Sequence, residues 1–314
     1  MLSVIIVDFR SIDRTIDYIR ELETKICVSS KIHVIIVDMY SEMDSSVAKL
    51  VHRFGEKKTS LLGKKIFQFS DDNADVVYVF GGGNLGYARG NNLGVRIGEC
   101  LFNDDYLLIS NNDIILQTPL NFSEIESIFI SDGSIGVIGP QIVGKDGKPQ
   151  SPCKYFSPLK GLIFRYWLYA GLSRFLGTDL DLDYSDENKF CYRVMGSFMF
   201  IRKKAFKEVC GFDENTFLYY EEPILSERMM RNGYKTYFHN GYTVMHNHGN
   251  TTKKIADKLI LLKYEFSAGL HYYKRYRKSS PFIIVLAKIN FAVFEIVFFL
   301  KKLIKKVIKT DGKL

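Results

Sequence analysis

Cysteine is sparse in this chain of 314 residues, and the five present (Cys27, Cys100, Cys153, Cys191 and Cys210) are scattered. None forms a CxxC pair or takes the spacing to histidine that a zinc site or redox couple needs, so free thiols in a reducing compartment are expected. Proline is equally thin, with seven residues in all. With 46% hydrophobic and 25% charged residues, this excludes disordered, collagen-like and disulfide-stapled classes and leaves a chain that fits one large or two modest domains. No hydrophobic leader precedes the first element, because MLSVIIVDFR runs straight into a strand-like stretch. No signal peptide is therefore expected, and a cytoplasmic location is.

Excess positive charge is missing from most of the chain. The net charge of +8 is carried by the tail from Lys253 to Leu314, which holds 15 Lys or Arg against four Asp or Glu, a net +11 that leaves −3 for residues 1 to 252. In that tail the lysines alternate with Phe, Ile, Leu and Val. A globular nucleic-acid binder spreads its charge over a polar recognition surface, so the pattern points to an anionic membrane surface and away from nucleic acid.

Short apolar runs rich in β-branched residues recur at 3 to 7 (SVIIV), 33 to 38 (HVIIVD), 76 to 80 (VVYVF) and 106 to 110 (YLLIS), separated by segments long enough for helices. Near-continuous apolar strands suit a parallel sheet covered on both faces, which predicts an α/β first half. Asp8, Asp38 and the Asn111-Asn112-Asp113 run close three of the strands. In open α/β sheets ligands sit at the carboxyl ends of strands, so these residues fall where a ligand binds. Residues 151 to 194 interrupt the pattern with an aromatic, basic stretch and an acidic loop, read together as an inserted flap. That loop lacks the Gly and Glu of a calcium-binding EF-hand, having Tyr184 and Phe190 in their places, and reads as a solvated acidic loop.

Gly81, Gly83 and Gly86 satisfy GxGxxG after the third strand-like run. A dinucleotide fingerprint opens the first βα unit of its domain, and two strands precede this one. The cluster reads better as a tight loop near phosphate or sugar, with Asn84, Asn91 and Asn92 as donors. Asp113 at the adjacent strand end suits a Mg²⁺ or Mn²⁺ ion beside a diphosphate; by itself, Asn-Asn-Asp is by default a surface turn or helix cap.

Seven segments occur in an ordered series: SVIIVDF, VDMYSEMDSS, NLGYARGNNLG, LLISNND, GSFMFIRKKAF, GFDENTFLYYEE and HNHGNT. Across residues 1 to 252 this series resembles glycosyltransferase family 2, in its rhamnosyltransferase-like bacterial branch with a GT-A fold. The resemblance implies a donor-nucleotide half over about 1–115 and an acceptor and catalytic half over about 116–252; beyond it, charge and hydropathy alone predict a basic amphipathic helical tail over 253–314. The resemblance also implies that Asp8 and Asp38 meet the donor, together with Asn84, Gly86, Asn91, Asn92 and Asn112. Asp113 matches the last acid of the metal-binding DXD-type motif, and His246 the histidine of a closing His-x-x-Gly-x-Ser/Thr pattern, with Gly249 and Thr251 in register. Glu222 falls on the presumed general base, preceded by Glu221. The implied reaction is metal-dependent inverting transfer of a sugar, such as rhamnose from dTDP or a sugar from UDP, to a hydroxyl of a lipid-linked surface polysaccharide such as O-antigen or capsule.

Departures fall at the catalytic segment. The family reads Glu-Asp-apolar-Asp-Leu, whereas this chain reads Glu221-Glu222-Pro223-Ile224-Leu225. The longer base needs its backbone to retreat or its acceptor to sit further away. Pro223 is tolerated as a first helical residue. A catalytically degenerate nucleotide-sugar-binding membrane partner stays open as an alternative. A sugar nucleotidyltransferase is disfavoured, because its glycine-rich N-terminal loop is absent from SVIIVDFRSIDRT. In the tail, Pro281 to Leu300 is long enough to cross a bilayer but is interrupted by Lys288, Asn290 and Glu295, and Lys288, Glu295, Lys302 and Lys309 recur at seven-residue intervals. A helix lying in the interface on the cytoplasmic face is preferred over a span, with a homo-oligomerisation helix as the alternative.

Overall fold

The computed structural model describes residues 1–29, 31–40, 42–55, 58–59, 66–167, 182–183, 185–247 and 258–311, with backbone alone at 58–59, 167 and 303–311. The chain divides into two compact units, Met1–Lys154 with Leu182–Ile255, and Tyr155–Asp181 with Ala256–Leu314.

In chain order the elements are β1 (Leu2–Asp8), α1 (Ile12–Lys25), β2 (Ile26–Cys27), β3 (Ile32–Asp38), α2 (Met43–Phe54), β4 (Lys58–Thr59), β5 (Ile66–Ser70) and β6 (Ala74–Phe80). There follow α3 (Gly86–Leu101), β7 (Tyr106–Ser110), β8 (Ile114–Leu116), β9 (Leu120–Asn121), α4 (Phe122–Ser131) and β10 (Ile135–Gly144). A π-helical turn, Lys160–Phe164, leads into α5 (Arg165–Trp167). The rest comprises β11 (Lys189–Cys191), β12 (Phe198–Arg202), α6 (Lys203–Glu208), α7 (Glu221–Arg231), β13 (Lys235–His246), α8 (Lys258–Arg275) and α9 (Pro281–Asp311).

Among the described residues, eleven strands of the first unit form one sheet in the order β11-β13-β10-β12-β7-β1-β3-β6-β5-β4, with β8 on β13. The four apolar runs found in the sequence are its parallel heart, β7-β1-β3-β6. Alternation along these strands builds two cores. Val4, Ile6, Val34 and Ile36 face the side covered by α1, α2 and α4, while Ile5, Ile35 and Val37 face the side of α3, α6 and α7. Strand order reverses between β1 and β7, which opens a crevice at their carboxyl ends.

The glycines of α3 are there for packing. Cβ atoms added at Gly90, Gly94 and Gly98 would lie 3.0, 2.6 and 3.3 Å from side chains of Val7, Ile5 and Ile35. Four-residue spacing puts all three on one helix face, so α3 lies directly on β1 and β3. Half of the glycine-rich stretch is thus a contact stripe, and the loop proper ends at Gly86, whose φ of +77° suits glycine.

Residues 151 to 194 are divided between the units. Cys153 bridges to Leu182 and Arg193, and β11 pairs with β13, which ties both ends of this stretch to the first unit. Residues 155 to 167 belong to the second unit, where Tyr166 is fully buried against Phe266 of α8 and Phe291 and Phe294 of α9. A single flap does not describe this arrangement; half of the acidic loop, and Gly249, Thr251 and the boundary at Thr252, lie outside the described residues.

Candidate active site

Asp8 and Asp38 are paired in register at the ends of β1 and β3, and both are fully buried. Asp8 accepts hydrogen bonds from the Ser11 amide (3.0 Å), the Ser11 hydroxyl (2.9 Å) and Thr15 (2.5 Å). Burial pushes its carboxyl above the usual range; the Thr15 and Ser11 bonds pull it back, and the Asp38 charge pushes it up again. The Asp38 carboxylate accepts from Tyr40 N, Ser46 Oγ and Tyr78 Oη. Each carboxylate shapes the loop that follows it and anchors the next helix. Both carboxylates, expected at the donor, are fully buried among these partners at the strand ends.

The amides expected at the donor are likewise turned inward. Asn112 Nδ2 lies 3.1 Å from Asp8 Oδ2, 2.9 Å from Ser11 Oγ and 2.7 Å from Thr15 Oγ1, tying the β7–β8 turn to the β1 loop across the crevice. Asn91 donates to Tyr87 O. Asn92 brackets Phe212, donating to its carbonyl and accepting from its amide, and also donates to Glu214. Asn84 Oδ1 accepts from Gly86 N at 3.1 Å. Gly86 in turn packs against the Phe217 carbonyl so closely that a Cβ has no room, and Tyr87 N donates to that carbonyl at 3.0 Å. The Asn-rich loop and α3 therefore clamp the 211–220 segment, because buried amides must find partners.

Two of the predicted metal ligands do converge. Asp113 Oδ1 lies 3.2 Å from His246 Nε2, with both side chains under 10% exposed. Antiparallel pairing of β8 with β13, His246 opposite Ile114, brings them together, and Asn247 N donates to Asp113 O. Asp113 Oδ1 is buried without a hydrogen-bond partner among the described residues. One carboxylate oxygen and one imidazole nitrogen suit Mg²⁺ or Mn²⁺ provided that other oxygens complete the octahedron, since no group of three protein ligands is found among the described residues.

Glu221 and Glu222 open α7 at its first two positions, with the charge that a helix N-terminus favours. Pro223 is the third helical residue rather than the first, still within the turn whose amides need no helical acceptor. Tyr219 and Tyr220, just before the helix, take φ values of +74° and +67°. Two adjacent left-handed tyrosines are a strained entry, and strain of this kind collects at functional sites. Glu222 Oε1 accepts from Gly196 N at 2.9 Å, and a Cβ on Gly196 would lie 2.8 Å from that oxygen. The long Glu222 side chain is thus accommodated by glycine on the facing segment. Tyr87 Oη holds the same residue by donating to Gly196 O at 2.6 Å. Next to it, Ser197 O accepts from Asn111 N, so the Gly196–Ser197 pair links the α7 carboxylates to the turn bearing Asp113.

Burial and the neighbouring Glu222 charge push the Glu221 carboxyl up to about 8, and its Oε1 has no hydrogen-bond partner among the described residues. Near neutrality Glu221 therefore keeps its proton, because a buried carboxyl beside another acid ionises only at a cost.

Sequence reasoning missed Tyr87, Gly196 and the pair of tyrosines, whose roles depend on contacts between distant segments. It also missed Arg10. At φ +56° its guanidinium lies 4.0 Å from the Tyr40 ring and 5.6 Å from the Phe9 ring, beside the ends of β1 and β3.

No family model matches the chain. Over 153 residues it is 30% identical to the low-salt glycan biosynthesis hexosyltransferase Agl10 of Haloferax volcanii, covering 47% of this chain and 44% of that protein. Among solved structures it is similar to GalNAc-T7, crystallised with UDP, GalNAc and Mn²⁺, at a TM-score of 0.54 and 12% identity over 79% of this chain and 44% of that one. It also aligns with the mannosyltransferase PcManGT of Pyrobaculum calidifontis in complex with GDP-Man and Mn²⁺, at 0.49 and 12% over 93% and 79%. The chain spans less than half the length of the first two relatives. The α/β sheet with helices on both faces is of the GT-A type.

Proposed function

We propose that the protein is an inverting glycosyltransferase that moves a sugar from a nucleoside diphosphate to a hydroxyl acceptor. The observation carrying this reading is the buried Asp113 oxygen facing His246 Nε2 at the crevice, one short segment away from a carboxylate at a strained helix start. Its supports are the GT-A architecture and the partial likeness to a hexosyltransferase. In this reading Glu222 accepts the acceptor's proton on Oε2 as that oxygen attacks the anomeric carbon, with Oε1 held by Gly196. Glu221, its carboxyl raised by burial, is not the proton acceptor in this reading. The Tyr87–Gly196 contact fixes the base, and the Asn92–Phe212 clamp keeps the preceding segment in place. Asp113 and His246 would hold a divalent cation, which when bound offsets the charge of the departing diphosphate. The crevice is rich in carboxylates, and an anionic donor entering it needs such a counter-charge.

The donor is taken as a uridine or deoxythymidine diphosphate sugar, with dTDP-rhamnose the first choice, and the acceptor as a lipid-linked surface saccharide of the O-antigen or capsule kind. The test is release of nucleoside diphosphate from a panel of nucleotide sugars, with Mg²⁺, Mn²⁺ or chelator present. Turnover of at least one donor that collapses in chelator is expected. Saturable donor binding without transfer or hydrolysis would favour the degenerate binding partner.

A further inference from the structure

Helix α9 presents three different sides. Ala287, Phe291 and Phe294 are buried within the second unit, where Phe291 stacks on Phe266 at 4.0 Å and both Phe291 and Phe294 pack on Tyr166. The opposite side is bare. Phe282 is 75% exposed, Ile289 58% and Ile296 61%, with Val285, Val293 and Leu300 also exposed. At 100° per residue these six fall in one stripe about 27 Å long that carries no charged side chain. Lys288, Glu295 and Lys302, which in sequence seem to interrupt the helix, lie on its flank. Glu295 is neutralised there by Lys263 of α8 at 2.8 Å, a pairing between positions 32 residues apart.

Cations stand at both ends of the stripe. Lys274, Arg275, Arg277 and Lys278 precede it, with the Arg277 guanidinium 3.9 Å from the Tyr155 ring, and Lys301 and Lys302 follow it. The segment Pro281–Lys302 is long and apolar enough to cross a membrane by composition alone. Crossing would carry one basic cluster through the bilayer, strip the inner face from α8 and α5 or take those along, and bring the Lys263–Glu295 pair into hydrocarbon. A second copy of the chain would bring two strongly basic tails together. A helix lying flat meets none of these costs: its bare side enters the acyl boundary and both basic ends stay at the headgroups.

We propose that α9 docks in the plane of an anionic lipid bilayer through the stripe Phe282–Val285–Ile289–Val293–Ile296–Leu300. This face is independent of the sugar-transfer reading, and the experiment reads lipid binding alone. Full-length protein is floated with phosphatidylcholine vesicles, with or without about a third phosphatidylglycerol. Co-flotation with the anionic vesicles is expected, weakened by high salt and reversed by alkaline carbonate. The double substitution Ile289→Asp, Ile296→Asp should lower vesicle partition by at least about tenfold while the melting transition and hydrodynamic size stay those of wild type. Independently of that variant's folding, a tryptophan in Ile289→Trp should be quenched by brominated lipid. Failure to float with anionic vesicles, undiminished flotation of the double variant, an unquenched Trp or carbonate-resistant insertion each overturns the proposal. So does a double variant that changes only oligomer size, which would assign the stripe to a second copy.

Discussion

The acids at the crevice differ in what their oxygens do. Asp8 and Asp38, at the ends of β1 and β3, are enclosed by hydroxyls of the loop, helices and strand around them. Asp113 and Glu221, on the β7–β8 turn and at the start of α7, each keep a buried oxygen without a hydrogen bond among the described residues. All four occupy positions at which a ligand-binding acid is expected; the first pair is satisfied within the fold, and the second is the pair on which the proposed reading draws. An unmatched buried polar atom costs on the order of 1–3 kcal/mol, a cost that, in the proposed reading, a cation held by Asp113 and His246 would offset.

The sharpest break of that comparison comes at the proposed base. Glu222→Gln should lower turnover by about 10² to 10⁴ with donor affinity nearly unchanged, measured as kcat against Kd for the donor. Should Glu221→Gln carry that loss instead, the roles within the pair are exchanged. On the structural side, Asp8→Ala removes the acceptor shared by Ser11, Thr15 and Asn112 and should cost about 2–4 kcal/mol in urea unfolding.

A smaller effect separates the two glutamates by pH. Glu221 binds its proton more tightly folded than unfolded, so its contribution to stability is full below the ordinary value of 4.5 and is lost as pH rises to about 8. Wild type should therefore lose about 1 kcal/mol or more relative to Glu221→Gln between pH 5 and pH 8.5, read by denaturant melts at both. The smallest effect belongs to Tyr87→Phe. It should lower kcat by roughly threefold to tenfold through a looser Glu222 and leave KM unchanged.

The parallel heart was legible because strands buried on both faces are near-continuous apolar runs, and their carboxyl ends located the crevice. The Asp113–His246 pair was legible only through the ordered motifs, since 133 residues separate the two. What could not be read was occupancy. Asn91, Asn92 and Asn112 look like free donors until the backbone and hydroxyls that engage them are brought in by folding. The glycine stripe of α3 was present at period four but overshadowed by its GxGxxG start. In the tail the seven-residue recurrence of charge was real, but only the α8–α9 pairing shows that it flanks the bare face.

Asp113→Asn tests the central claim most directly, with transfer rate and unfolding free energy measured on the same preparation across a Mn²⁺ titration. The account predicts a rate at least about 10³-fold below wild type that added metal does not restore, with stability within about 1 kcal/mol of wild type. A variant that keeps more than about a tenth of the wild-type rate in chelator, or one that loses its fold as Asp8→Ala is expected to, would contradict it.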